Sequence, residues 1–229
     1  MIKTWCIGIV NAAFLAAMEN VLKLYRLPYD PDYPLYCFDE RPCFLIGDTV
    51  KGFELKAEKV RKQHYEYEKF GCCTLFGAIE PLTGKRIGKV YDKRRKIEYA
   101  DFMKLIADKN PDAKKIRIIQ DNLNTHNVSS FYENFDAETA SKLADRFEFH
   151  YTPKCGSWLN TIEIEFSAVA RCCLNKRIPT KQEVEKQVLA FFKEREKNEI
   201  KIDWQFNIID ARKKMKRLYV DVNPANENV

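Results

Sequence analysis

The sequence predicts an α/β protein: a mixed sheet flanked by helices. Three observations carry this. Short runs rich in β-branched and aromatic residues alternate with amphipathic helical stretches along most of the 229 residues. Two of those runs, 71–79 and 86–91, are joined by the turn signal Pro81-Leu82-Thr83-Gly84, which makes a hairpin and therefore an antiparallel pair. The other strand-like runs are separated by helices, the arrangement that yields parallel neighbours.

Lys3 and the fairly apolar run 7–17 have the outline of a secretory signal. Asn11 interrupts that run, however, and Phe14, Met18, Val21, Leu22 and Tyr25 continue at helical spacing. The reading is one amphipathic helix, too short for a membrane span, in a soluble cytoplasmic protein with no membrane partner. Pro28, Pro31 and Pro34 end the helix. Leu35-Tyr36-Cys37-Phe38-Asp39 is an apolar run closing on acid, a buried strand with Asp39 and Glu40 at its end. Residues 47–69 are polar and of mixed charge, and read as a long, partly exposed loop before the hairpin.

Past the hairpin, the basic run Lys93-Arg94-Arg95-Lys96 leads into a helix carrying Tyr99, Phe102, Met103, Leu105 and Ile106, stopped by Asn110-Pro111. Residues 115–120 form a strand closed by Asp121-Asn122. A short helix covers 128–134, and Asp136 caps a second over 137–146. Phe147-Glu148-Phe149-His150-Tyr151 alternates as a strand, stopped by Pro153. A long helix is expected over 158–174. Another opens at Thr180-Lys181-Gln182-Glu183, a capping-box pattern, and runs to about residue 197. The expected division is an N-terminal helix and linker over 1–30, a main domain over 31–200, and a basic tail over 201–229 containing Trp204 and Arg212-Lys213-Lys214-Met215-Lys216-Arg217.

A formal net charge of +6, with 31% charged residues, suits a polyanionic partner but is a modest excess. The eight cysteines include two adjacent pairs and no CxxC spacing, which argues against a zinc knuckle. Length and core content remove the need for disulfide staples, so the thiols read as reduced and mostly buried.

Three acids stand where metal-assisted chemistry would want them. Asp39 ends the first strand, Asp121 follows a later strand, and Glu163 lies on the helix after the last strand. Carboxylates converging from separate elements repel one another unless a cation neutralises them, and hard oxygen ligands favour magnesium or manganese. Singly, each acid reads at least as well as a turn, loop or solvated residue. On the helical wheel Leu159, Ile162, Phe166, Val169 and Cys173 form the apolar face. Glu163 and Glu165 flank that face on opposite sides, and periodicity does not choose between them.

Cys37-Phe38-Asp39-Glu40-Arg41-Pro42 resembles the first acidic motif of the bacterial insertion-sequence branch of mariner-like DDE transposases. Gln120-Asp121-Asn122-Leu123-Asn124-Thr125-His126 resembles the second. Tyr151-Thr152-Pro153-Lys154-Cys155-Gly156-Ser157-Trp158-Leu159-Asn160-Thr161-Ile162-Glu163 resembles the third. The blocks occur in the family's order, and the likeness runs from about Trp5 through the helix after Glu163. It implies a retroviral-integrase-like RNase H fold whose catalytic domain spans 31–200. It also implies a catalytic, metal-holding triad of Asp39, Asp121 and Glu163, which prefers Glu163 over Glu165. Two Mg²⁺ or Mn²⁺ ions are expected there, with DNA as partner: terminal inverted repeats, and a target often at TA. The stretch from Asp121 to Glu163 is longer than in most mariner-like relatives, and a helix over 136–146 accounts for it as an insertion.

DNA contacts are expected at Lys93, Arg94, Arg95, Lys96, His126, Trp158, Arg212, Lys213 and Lys214. Each has a plainer reading. His126 suits a solvent-facing loop as well as a role near Asp121. Trp158 suits packing under the helix start better than base stacking. The basic runs suit solvated faces. Residues 1–30 hold one helix, too little for a helix-turn-helix module, so the chain reads as a truncated remnant or as one half of a split transposase partnered by a separately encoded module; a homodimer is a further expected partner. The rival readings are a non-catalytic transposase-derived DNA-binding protein and a nuclease of the same fold, such as a ribonuclease H or a junction resolvase.

Overall fold

A computed structural model describes residues 10–50 and 64–228. Helix α1 (Ala12–Leu24) is capped by Asn11, whose side chain accepts from the Phe14 N–H at 2.8 Å. Phe14, Met18, Val21, Leu22 and Tyr25 are all buried, as their spacing predicts.

Five strands follow: β1 (Leu35–Asp48), β2 (Tyr67–Ile79), β3 (Arg86–Tyr91), β4 (Ile116–Gln120) and β5 (Phe147–Tyr151). They form one sheet in the order β3-β2-β1-β4-β5. β1 pairs antiparallel with β2, and β2 with β3, while β4 runs parallel to both β1 and β5. This is the mixed sheet expected. β1 runs on to Asp48, past the Asp39 at which the sequence predicts its end. β4 pairs with Leu35 to Cys37 and no further, and β3 pairs with β2 only from Thr74 on, so beyond Pro42 β1 and β2 continue as a two-stranded arm. Pro42 is tolerated there because the side of β1 away from β2 needs no ladder donor. The arm also takes both ends of the loop expected over 47–69, whose residues 51–63 lie outside those described. Opposite Leu45, Gly71 adopts φ +102 where the register shifts, a conformation that excludes most side chains.

Strand alternation divides β1 between two cores. Tyr36 and Phe38 face one core, with Phe76, Tyr99, Phe102 and Phe131, under helices α2 (Lys96–Lys109), α3 (Ser129–Asn134) and α4 (Ala137–Asp145). Cys37 faces the other, with Met18, Leu22, Leu75, Ile162 and Phe166, under α1, α5 (Ile162–Ala168) and α6 (Lys181–Lys197). Asp136 caps α4 as predicted, accepting from the Thr139 N–H at 2.9 Å.

The long helix expected over 158–174 is broken. A 3-10 turn (Ser157–Leu159) precedes α5, and α5 widens into a π turn (Val169–Cys173) where the Leu174 N–H reaches the Val169 carbonyl at 2.9 Å. Only half of the capping box at Thr180 forms. Its side chain accepts from the Glu183 N–H, while Glu183 accepts from Gln187 instead.

The segment read as a basic tail folds back as α7 (Ile208–Lys214) and α8 (Lys216–Val222). Ala211 and Tyr219 are buried in the α1-side core, and the Trp204 ring lies 5.3 Å from that of Tyr25. Among the described residues the cysteines are free thiols, and no helix is long and apolar enough to cross a membrane.

Candidate active site at the carboxyl end of the parallel strands

The β1–β4 register pairs Leu35 with Arg117 and Cys37 with Ile119. Carried two residues further, it sets Asp39 beside Asp121. Cys37 and Ile119 lie on the face covered by α1 and α5, while Asp121 follows the last residue of β4 and its carboxylate meets His126.

Three contacts bring α5 onto that face. Gly77 stands opposite Asp39 on β2, and a Cβ there would lie 2.6 Å from Phe166 Cε1. The missing side chain lets α5 pack directly on the backbone beside Asp39. The buried Asn160 donates from Nδ2 to the Phe38 carbonyl at 2.8 Å, pegging the chain before α5 to β1. Tyr25 donates its hydroxyl to the Leu159 carbonyl at 2.7 Å and accepts from the Thr161 N–H at 3.3 Å. Glu163 is exposed in the first turn of α5.

The three charges act on one another. Burial raises the Asp39 carboxyl to about 7, and the negative charges of Asp121 and Glu163 push the same way. The Glu40 N–H, 2.7 Å from Asp39 Oδ1, and the imidazole of His126 pull against them. His126, a candidate for DNA contact from its loop position, is wholly buried and is corrected on that point. Its Nδ1 lies 2.5 Å from Asp121 Oδ1 and its Nε2 3.0 Å from Glu40 Oε1. The ring stacks on Tyr99 at 4.9 Å and meets Phe38 edge-on at 5.3 Å. A carboxylate on each nitrogen demands two donors. Although burial works against the cation, the two partners raise its pKa to about 9 and favour the imidazolium. The ring therefore fixes Asp121 rather than facing a ligand.

Glu165 has a different setting. It is fully buried, with Oε1 2.9 Å from Arg86 Nε and 2.8 Å from Arg195 Nε, and Oε2 accepts from Arg86 Nη2 at 3.1 Å. Arg86 also reaches the carbonyls of Gly84 and Ile200.

Among the described residues no group of three acidic, imidazole or thiol side chains stands at the spacing of a metal cage. The donor chemistry of Asp39, Asp121 and Glu163 still fits a hard divalent cation. These are carboxylates crowded at one strand end, with His126 as the balancing cation, and a bound ion would relieve the repulsion felt by Asp39.

The predicted DNA contacts divide. Lys93 and Arg94 are exposed. Arg95 pairs with Glu98 through its guanidinium at 2.6 Å, and its backbone N–H donates to the same carboxylate at 2.8 Å at the start of α2. Lys96 is bound to Glu133, and both Nε and Nη2 of Arg212 reach Glu19 on α1. Each of these three already has a carboxylate partner within the fold. Lys213 is exposed, and Lys214 sits 5.3 Å over the Phe206 ring. Trp158 is 38% exposed and packs edge-on against Phe206, so it is neither buried under the helix nor free of neighbours. Sequence reasoning missed Glu40 as the second partner of His126, although it directly follows Asp39. It also missed Asn160 as the peg, although it lies within the third motif.

The family described as DDE superfamily endonuclease matches residues 34–185. No curated protein matches the chain. Solved structures do. One is titled a crystal structure of the Mos1 mariner paired end complex with Mn, at 12% identity and TM-score 0.56 over 99% of this chain. A pre-cleavage Mos1 transpososome, at 13% identity, and the Mos1 strand transfer complex, at 14%, each give a TM-score of 0.54 over the same share. At such identity the likeness shows the fold, the RNase H-like arrangement that the motif resemblance implied. This chain spans 66%, 66% and 65% of those three chains.

Proposed function

The chain belongs to the DDE superfamily of endonucleases, and we propose that it is the catalytic domain of a transposase of the bacterial insertion-sequence branch, cutting a mobile element's ends and joining them to target DNA. The observation that carries this reading is the convergence of Asp39, Asp121 and Glu163 from two parallel strands and a pegged helix. The structural relatives support the substrate: Mos1 is seen in a mariner paired end complex with Mn and in a strand transfer complex.

In this reading Asp39, Asp121 and Glu163 hold two Mg²⁺ or Mn²⁺ ions. When bound, such ions supply an activated water and stabilise the leaving oxygen of a phosphodiester. The protein's part is positioning. His126, clamped by Glu40, keeps Asp121 turned to the site, and Asn160 and Tyr25 hold the start of α5. The same site serves first cleavage and then attack by the freed 3′-hydroxyl, so no Ser or Tyr nucleophile is needed. Lys93, Arg94 and Lys213 offer charge to the DNA backbone. Pairing two ends calls for two copies of the chain, and sequence-specific reading of the inverted repeats falls to a helix-turn-helix module.

The test uses labelled duplexes carrying the element's ends, with Mn²⁺ or Mg²⁺, read for nicking and strand transfer. Metal-dependent products from the wild type, and none from Asp121→Asn, are expected. Products equal in the variant, or unchanged by a chelator, would exclude this chemistry.

A further inference from the structure

Arg41 stands on β1 two residues past Asp39. Cys37 before this pair and Cys43 after it both lie in the α1-side core, so strand alternation turns Asp39 and Arg41 to that same side. Pro42 restricts the Arg41 backbone to extended conformations, which preserves the alternation. Opposite Arg41 on β2 is Leu75, fully buried. Arg41 itself is half-buried, and its Nε is sealed from solvent without a hydrogen-bond partner. Its two terminal nitrogens are not sealed, and neither meets a partner among the described residues. The other arginines withdrawn from solvent are all engaged. Arg86 and Arg195 hold Glu165, Arg117 reaches Glu148, Arg177 pairs with Asp48, and Arg146 donates to the Asn110 carbonyl. Asp39 is close along the strand, yet Arg41 is not among the leading influences on its carboxyl. A guanidinium with its root fixed, its fork open and no carboxylate to answer it is short of an anion.

We propose that Arg41 holds a DNA phosphate next to the one being cut. This assignment rests on the cleavage reading, which puts the scissile phosphodiester against Asp39, Asp121 and Glu163. Two residues of strand advance about 6.6 Å, which sets the Arg41 fork toward the arm and beside a neighbouring phosphate rather than the scissile one. The open terminal nitrogens meet that phosphate, and the sealed Nε takes no part. Two parallel N–H bonds from a planar guanidinium match two phosphate oxygens, and arginine stays charged at any working pH. A carboxylate from another protein fits worse. It would approach Asp39 and Glu163 with nothing to offset them, whereas a phosphodiester comes to this face with the cations that those acids hold. Lys93, Arg94 and Lys213 are exposed and offer charge without a fixed position. Arg41, held at its root, fixes the register of the DNA strand against the acids.

The experiment has two arms, both on the full chain. The first measures duplex binding against salt, without metal, in the Asp39→Asn background, where nothing is cut. Adding Arg41→Met keeps the apolar stem and removes the charge. The slope of log K against log salt should then fall by about 0.9, the worth of one phosphate contact. Arg41→Lys should keep the slope. The second arm follows metal-dependent nicking of duplexes in which one phosphate near the cut is replaced by an uncharged methylphosphonate. At one position beside the cut the replacement should slow the otherwise wild-type chain about tenfold and leave Arg41→Met unaffected, because the contact is already gone. A side chain that merely packs against β2 moves neither readout. An unchanged slope in Arg41→Met, or nicking in which no replacement distinguishes Arg41→Met from the wild type, overturns the proposal. Should Arg41→Met fail to fold, Arg41→Gln takes its place in both arms. If the chain gives no nicked product at all, the cleavage reading falls, and the salt slope still decides whether Arg41 holds a phosphate.

Discussion

Glu163 and Glu165 share one helix two positions apart, yet their surroundings are opposite. Glu165 is sealed from solvent between Arg86 and Arg195, so its charge is answered twice over. Glu163 is exposed, and its charge acts on Asp39 together with that of Asp121, against the opposing charge of His126. A compensated cluster holds a fold together. In the proposed reading, a bound cation completes the cluster that the fold leaves short of positive charge. The contrast teaches that burial and ion pairing mark structural acids, whereas crowding without pairing marks chemical ones.

The largest effect should come from crossing the two glutamates. Glu163→Gln, like Asp39→Asn and Asp121→Asn, is expected to reduce DNA cleavage to background with no loss of melting temperature. Glu165→Ala strands the buried Arg86 guanidinium, takes a partner from the half-buried Arg195, and is expected to cost about 3–5 kcal/mol. For a chain of this length that lowers Tm by roughly 6–20 °C. Cleavage per folded molecule should survive well below the new Tm. Cleavage lost in Glu165→Ala while still folded, and kept in Glu163→Gln, would reverse the assignment.

A smaller effect should separate the clusters by metal. Mg²⁺ or Mn²⁺ at about a hundred times its Kd should stabilise the wild type by about 2.7 kcal/mol, seen as a rise in Tm. Asp121→Asn should lose most of that rise, and Glu165→Ala should keep it from its lower baseline. An equal rise in all three would place the ions elsewhere.

The smallest effect concerns the same distinction among cations. Removing Lys93 or Arg94 should lower the slope of log K for DNA against log salt by about 1 each. Arg95→Ala and Arg212→Ala should change it less, since those guanidinium groups already have carboxylate partners. Equal slopes for free and paired residues would show that internal pairing does not withhold a side chain from DNA.

Much of the fold was legible because it is local. The spacing of Phe14, Met18 and Val21 marks α1, Pro81 to Gly84 marks the hairpin, and Asp136 marks the start of α4. The arm was not, because Pro42 and the charges around it look like loop when the missing neighbour of β1 is unknown. The folded C-terminal segment had a readable signal in the spacing of Ile208, Ala211, Met215, Tyr219 and Val222, which its lysines and arginines overshadowed. The site acids were legible as types at strand ends, but their environments were not. The partners of Glu165 are 79 residues before it and 30 after it, and Glu40 is 86 residues from His126. No local pattern reports such meetings.

Asn160 and Tyr25 have a consequence in time. The peg from Asn160 to Phe38 closes 122 residues of chain, and the bond from Tyr25 to Leu159 closes 134. A chain emerging from the ribosome carries Asp39 and Asp121 long before residue 160 exists to be docked, and contacts of such span wait on the closure of everything between them. Nascent chains therefore hold two of the acids before the third, so on the proposed reading the capacity to cut DNA waits on the docking of α5. A chain stopped after β5 should be inert on DNA however well its sheet has formed.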